Sequence, residues 1–169
     1  MRGGKTMKLK NLIENAGVVS VTGDVENEIK EVVCDSNSVT KGSLFICLKG
    51  RDYDGRGFIR QVENYGAAAI VTEKPTETSL TQVLVKDARK AMSVIAANFY
   101  GHADKKMRII GVTGTNGKTT TAHFLASILI NSGIKCGITG TLGTFYADKY
   151  AEPTLTTPDP LALHKTFFD

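Results

Sequence analysis

The chain has 169 residues, 41% of them hydrophobic, with 21 lysines and arginines against 17 acidic residues and a formal net charge of +4. That length holds one good core or two small ones, and a mild charge without a basic stripe or interleaved aromatics argues against a nucleic-acid partner. No apolar run reaches bilayer length and the opening lacks a secretory pattern, so no membrane insertion is expected, while three cysteines (Cys34, Cys47, Cys136) without paired metal spacing point to a reducing cytoplasm.

The polar opening, residues 1–6, reads as a flexible extension, with Met7 as the beginning of the ordered chain. Leu9 to Ala16 has the spacing of a short amphipathic helix, and Ile29 to Cys34 and Leu44 to Leu48 are strand-like runs. Phe58 to Tyr65 reads as a helix. Ala67 to Thr72 and Gln82 to Val85 are compact apolar strands, with Pro75 marking the turn between them. Asp87 is placed as an N-cap before Ala91, Met92, Ile95 and Phe99, and Gly101 as the stop. The polar stretch between Gly101 and Met107 carries no apolar anchor, which puts a domain boundary there and divides the chain into residues 1–104 and 105–169.

Met107 to Val112 is short, apolar and β-branched, and apolar residues at Ala122, Leu125, Ile128 and Leu129 follow at helical spacing. Between them Gly111 to Thr121 reads Gly-Val-Thr-Gly-Thr-Asn-Gly-Lys-Thr-Thr-Thr. In a strand-to-helix turn of this kind, backbone N–H groups from Gly114 to Lys118 can wrap the β- and γ-phosphates of a nucleotide, aided by the positive end of the helix dipole. Lys118 supplies a mobile positive charge, and the Thr119 hydroxyl suits a phosphate-bound Mg2+, a hard ion that prefers oxygen. The expected ATP-binding set is Gly114, Thr115, Asn116, Gly117, Lys118, Thr119 and Thr120, with Lys118 catalytic and Thr119 on the metal. The strict phosphate-loop pattern has glycine where this chain has Val112, so the motif is a variant. A Gly-Lys-Thr also occurs in ordinary surface turns; the flanking strand, helix and three glycines favour the phosphate site.

The helix is expected over Thr119 to Ser132, with a stop at Gly133 and a second strand near Cys136 to Thr139. The fold class is therefore α/β: a small α/β unit followed by the start of a P-loop doubly wound parallel-sheet domain, truncated because one βαβ unit cannot cover both faces of a parallel sheet. His102, His123 and His164 share no metal-ligand spacing and receive no catalytic role.

Cys34-Asp35-Ser36-Asn37-Ser38-Val39 leading to Gly42-Ser43-Leu44-Phe45, and Thr154-Leu155-Thr156-Thr157-Pro158-Asp159, together with Gly-Thr-Asn-Gly-Lys-Thr, resemble the Mur ligase family. The likeness is greatest to members that add the third residue of the peptidoglycan stem peptide. It runs from Met7 onward and reaches the uridine-nucleotide domain and the opening of the central ATPase domain. The resemblance implies that residues 1–104 bind UDP-N-acetylmuramic acid and that Ser36 helps hold the UDP end; Asn37 stands where many relatives have arginine. The loop Gly50-Arg51-Asp52-Tyr53-Asp54-Gly55 looks like the family's turn near the uracil, with Arg51, Asp52 and Tyr53 as candidate contacts. Read from its residues alone, it is equally an ordinary strand-to-helix loop. Thr156 and Thr157 look like the paired threonines set against the muramoyl-peptide side of the substrate, with Leu155 where relatives often have asparagine. The same run is also a good helix start, with Thr157 as N-cap and Pro158 at the first helical position.

The resemblance further implies an ATP- and magnesium-dependent reaction. The γ-phosphoryl group passes to a carboxylate of UDP-N-acetylmuramoyl-L-Ala-D-Glu, and the amine of an amino acid then displaces phosphate from the acyl phosphate. In the family, further magnesium ligands, a modified lysine and the amino-acid-binding domain lie beyond the position of Asp169, which implies that this chain alone is inactive as a ligase. Two other readings stay open. One is another Mur ligase or a folylpolyglutamate synthetase-like ligase, the latter sharing the loop but usually lacking a uridine-binding domain; the other is a non-catalytic nucleotide-binding module.

Overall fold

The computed structural model describes residues 6–50, 53–146, 149–152 and 158–169. In chain order the elements are β1 (Met7–Lys8), α1 (Leu9–Leu12), β2 (Val18–Thr22), β3 (Glu28–Ile29), β4 (Glu31–Val33), β5 (Ser43–Ile46), α2 (Ile59–Asn64), β6 (Ala69–Thr72), β7 (Thr81–Val85), α3 (Ala88–Phe99), α4 (Lys118–Asn131), β8 (Gly137–Gly140), β9 (Gly143–Tyr146), β10 (Lys149–Ala151) and α5 (Pro160–Phe168). Short 3-10 turns occupy Ser36–Ser38, Gly55–Phe58 and Ala103–Lys106. No helix among the described residues is long and apolar enough to cross a membrane.

Alternation along the strands builds two cores. Leu44, Ile46, Ala69, Val71, Val83 and Val85 point to one face, where Leu9 and Leu12 of α1 and Met92, Ile95 and Phe99 of α3 cover them. Val33, Phe45, Cys47 and Ile70 point to the other, against Ile59 and Val62 of α2. Both faces are covered, which explains why these strands read as near-continuous apolar runs. The sheet has the order β2-β7-β6-β5-β4, parallel from β4 to β7, with β2 antiparallel at the edge. Burial pushes the Cys47 thiol up to about 12, as befits a packing residue.

Several expectations are corrected. The first helix stops at Leu12 rather than Ala16, because Asn15 (φ 59°) and Gly17 (φ 68°) turn left-handed. Val18–Thr22 is an edge strand that the apolar pattern does not announce, since four of its five residues are exposed and its β-branched content is the only signal. The polar stretch after Gly101 does carry an anchor: Ala103 is buried within a 3-10 turn. Asp87 caps α3 as expected, accepting from the Lys90 amide at 3.0 Å.

The expected strand at Met107 to Val112 is absent. Ile109 and Ile110 are more than half exposed, and among the described residues no strand pairs with them. β-Branched composition favours an extended chain, but a strand exists only through its ladder. After α4, the expected second parallel strand is instead the first of an antiparallel meander, β8-β9-β10. Only Thr141 and Leu142 separate β8 from β9, and so short a connection permits antiparallel pairing alone. The last helix begins two residues later than Pro158. Asp159 accepts from the Leu161 and Ala162 amides at 2.8 and 3.0 Å, and Pro160 takes the first helical position, where its missing N–H costs nothing.

Candidate functional site

The turn into α4 is shaped by its glycines. Gly114 (φ 151°) and Gly117 (φ 76°) hold left-handed conformations that a side chain would strain. Among the described residues, no protein acceptor takes the amide hydrogens of residues 114–120; the first satisfied amide is that of Thr121, which donates to the Gly117 carbonyl at 2.9 Å. Three of these free amides are the orphan donors of a helix N-terminus, and the others line the loop before it. Lys118 folds back over the loop, its Nζ donating to the carbonyls of Gly114 (2.6 Å) and Thr115 (3.4 Å). Thr119 is half-buried at the base of the loop and Thr120 is exposed beside it. The result is an exposed run of unpaired N–H donors with one flexible ammonium, groups chemically suited to phosphate oxygens. Among the described residues no group of three or more His, Cys, Asp or Glu side chains could hold a metal. A hydroxyl such as that of Thr119 is an oxygen ligand of the kind that magnesium, a hard ion, prefers.

A cavity of about 260 Å³ joins segments far apart in the chain. Glu31, Cys34, Asp35, Ser38 and Tyr100 line it together with Asp159 and Lys165 of the last helix. Asp35 caps the 3-10 turn, accepting from the Asn37 amide at 3.0 Å and the Ser38 hydroxyl at 3.5 Å. Ser36 is buried on that turn next to the cavity wall rather than in it. Asn37 ties the turn to α2 by accepting from Gln61 Nε2 at 3.3 Å. Burial, then the charges of Asp159 and Asp35, raise the Cys34 thiol above its ordinary value. Ser38 and Asp159 lie within the motifs picked out in the sequence. Tyr100 and Lys165 carry no local signal and become neighbours of the cavity only through tertiary packing.

The Gly50 to Gly55 loop has a structural account of its own. Arg51 and Asp52 lie outside the described residues. The Gly50 amide donates to the Tyr53 carbonyl at 2.9 Å, and the half-exposed Tyr53 ring lies over Gly50, where a Cβ would sit 2.6 Å from it. Asp54 accepts from the Arg56 amide at 3.0 Å and pairs with the Arg56 guanidinium at 2.6 to 3.1 Å. These contacts hold its carboxyl at about 2. Asp54 and Gly55 are thus consumed in building the turn, and Tyr53 keeps an open ring face for stacking.

A carboxyl held below its ordinary value stabilises the fold fully above the ordinary value, 3.8, and loses that contribution as pH falls through about 2. Asp54→Asn should therefore lower the melting temperature by a constant amount from neutral pH down to about 4, and the gap to the unaltered chain should close in stronger acid. A gap that instead widens on acidification would contradict this reading.

Thr156 and Thr157 lie outside the described residues. His123 sits edge-on to Phe145 with centroids 5.9 Å apart, His102 takes a left-handed turn (φ 53°), and His164 faces Asp104.

A family profile described as Mur ligase family, catalytic domain, matches residues 28–100, and one described as Mur ligase middle domain matches residues 112–169. The UDP-N-acetylmuramoyl-L-alanyl-D-glutamate--2,6-diaminopimelate ligase of Geobacillus thermodenitrificans is 41% identical over 161 residues, covering 95% of this chain and 33% of the relative. A ligase of the same name from Clostridium acetobutylicum is 41% identical over 165 residues, covering 96% and 34%. Among solved structures, a UDP-N-acetylmuramoyl-L-alanyl-D-glutamate--2,6-diaminopimelate ligase shares the fold with a TM-score of 0.76 at 22% identity, covering 97% of this chain and 33% of that one. MurF from Acinetobacter baumannii gives a TM-score of 0.65 at 25% identity, again covering 97% and 33%. The chain spans about a third of the length of the relatives it matches.

Proposed function

Because the chain belongs to the Mur ligase family, we propose that it supplies the uridine-nucleotide-binding unit (residues 1–104) and the opening of a P-loop, doubly wound ATP-binding unit (residues 105–169) of a cytoplasmic peptidoglycan-precursor ligase. The parent enzyme joins an amino acid to UDP-N-acetylmuramoyl-L-Ala-D-Glu; the names of the relatives give 2,6-diaminopimelate as that amino acid. The observation that carries the reading is the run of amides from 114 to 120 without an acceptor among the described residues, with the Lys118 ammonium folded back onto the same loop.

In this reading the amides of Gly114, Thr115, Asn116, Gly117, Lys118, Thr119 and Thr120 bind and orient the triphosphate of ATP. Lys118 exchanges the Gly114 carbonyl for a phosphoryl oxygen. A substrate carboxylate oxygen attacks the γ-phosphorus and ADP leaves; the amine nitrogen then attacks the acyl carbon and inorganic phosphate leaves. The Thr119 hydroxyl would help hold magnesium, which would supply charge neutralisation. Ser36, Tyr53 and the cavity walls hold the uridine-linked sugar, with Arg51, Asp52, Thr156 and Thr157 as further contacts carried by the family likeness. The match of residues 28–100 to a Mur ligase profile favours this over a folylpolyglutamate-type ligase.

Calorimetric titration of the chain with UDP-N-acetylmuramoyl-L-Ala-D-Glu should show saturable binding, weakened about tenfold in Ser36→Ala by loss of one hydrogen bond to a polar or charged group. Absence of any binding by the unaltered chain would refute the assignment of the uridine-linked substrate to this unit.

A further inference from the structure

The last helix, α5, is seated on the sheet-bearing unit by a contact that is only partly apolar. At one end Leu161 enters the core beneath α1 and α3, and at the other the Phe168 ring meets Tyr100 with centroids 5.9 Å apart. Between them His164 Nδ1 faces Asp104 Oδ1 at 3.8 Å. Both atoms are sealed from water, and neither has a hydrogen-bond partner. A buried donor or acceptor left unmade loses its hydration without recompense. The separation is about 1 Å longer than an N–H···O bond requires. The seat of α5 therefore has apolar ends and an unclosed polar contact in the middle. The same helix is one wall of the 260 Å³ cavity, presenting Asp159 and Lys165 to Asp35 and Ser38.

We propose that α5 is a movable wall of this cavity and that His164 and Asp104 are positioning residues whose contact sets how firmly the wall is seated. The inference rests on the reading above for its ligand, the uridine-linked sugar, which would touch both walls and draw them together. A small inward movement of α5 brings the imidazole N–H within reach of the carboxylate, so that substrate binding and closure of the contact proceed together.

The charges bearing on His164 are few. Burial drives its imidazole toward the neutral form and His102 acts in the same direction, while Asp104 on the Ala103–Lys106 turn opposes both. The charged residues that open α3, Arg89 and Lys90, lie at the opposite end of that helix from Tyr100. On its own helix, Lys165 lines the cavity. With the histidine held below its ordinary value when seated, the contribution of its neutral form to seating is fully present above the ordinary value of 6.5 and weakens as pH falls below it.

Hydrogen exchange over residues 160–168 tests this on the 169-residue chain, corrected for intrinsic rate and referred to the amides of α3. Protection of α5 should fall about threefold or more between pH 8 and pH 5, and UDP-N-acetylmuramoyl-L-Ala-D-Glu should restore it. His164→Gln supplies an amide that can donate to Asp104 and does not titrate, so its α5 protection should be flat with pH. Asp104→Ala should lower protection at every pH while leaving α3 unchanged. Identical pH profiles in the unaltered chain and in His164→Gln would overturn the proposal. So would substrate binding that leaves α5 exchange untouched. Loss of substrate binding altogether, with the pH profile intact, would sink the ligand assignment while supporting the role of the pair.

Discussion

Replacing Lys118 by alanine in the full-length ligase is expected to lower the rate of substrate-dependent ADP formation by about 10³-fold or more, equivalent to about 4 kcal/mol of transition-state stabilisation. The loop amides are fixed dipoles and remain in the variant. Lys118 is the one flexible cation on the loop, and its Nζ, now on the Gly114 carbonyl at 2.6 Å, can follow charge as it moves onto the bridging and terminal phosphoryl oxygens. Because phosphoryl transfer depends on positioning and charge neutralisation, removal of this cation should act on kcat far more than on binding of the uridine-linked substrate. Calorimetry with that substrate should therefore give an unchanged affinity. Arginine at position 118 is a poor replacement, since its planar fork does not occupy the volume of a compact ammonium. An alanine variant that turned over at the unaltered rate would remove Lys118 from the reaction and with it the functional reading of the loop.

The parts of this fold that can be read from sequence are those whose signal is local. Leu44 to Leu48 and Ala67 to Thr72 declare buried parallel strands because both faces of the sheet are covered, and Asp87 declares the start of α3 through its cap. The conformation of the turn into α4 follows from glycines at 114 and 117. Illegible features depend on partners distant in the chain. Val18–Thr22 is a strand only because β7 accepts it, and Met107 to Val112, with a stronger apolar signal, pairs with nothing among the described residues. Tyr100 and Lys165 meet the Asp35 turn only when α5 packs beneath α3, a juxtaposition no spacing rule encodes. The Asp54-Gly55 pair was legible as a motif and ambiguous as chemistry. Only the Arg56 contacts reveal that the carboxylate holds the turn together.

Gly55→Ala is expected to destabilise the sheet-bearing unit through contact with backbone alone. A Cβ at this position would stand 2.9 Å from the Leu48 nitrogen and 3.0 Å from both the Cys47 Cα and the Leu48 carbonyl oxygen. All three are backbone atoms continuing from β5, whose residues are buried on both faces, so none can swing aside as a flexible side chain would. Relief requires moving the end of a central strand or breaking the Gly55 amide bond to the Leu48 carbonyl, at 2.9 Å, and with it the Asp54–Arg56 cap. Overpacking against rigid surroundings costs about 1–3 kcal/mol. For a domain of about 100 residues, that lowers the melting temperature by about 5–15 °C. Gly57 provides the internal control, since a Cβ there meets nothing within 4 Å. Gly57→Ala should melt no lower than the unaltered chain and up to about 5 °C higher, because its effect is confined to backbone entropy. Thermal unfolding of the two variants side by side separates contact from glycine content: equal stability of both would show that the turn yields, and that Gly55 is retained for a reason other than the close approach of Leu48.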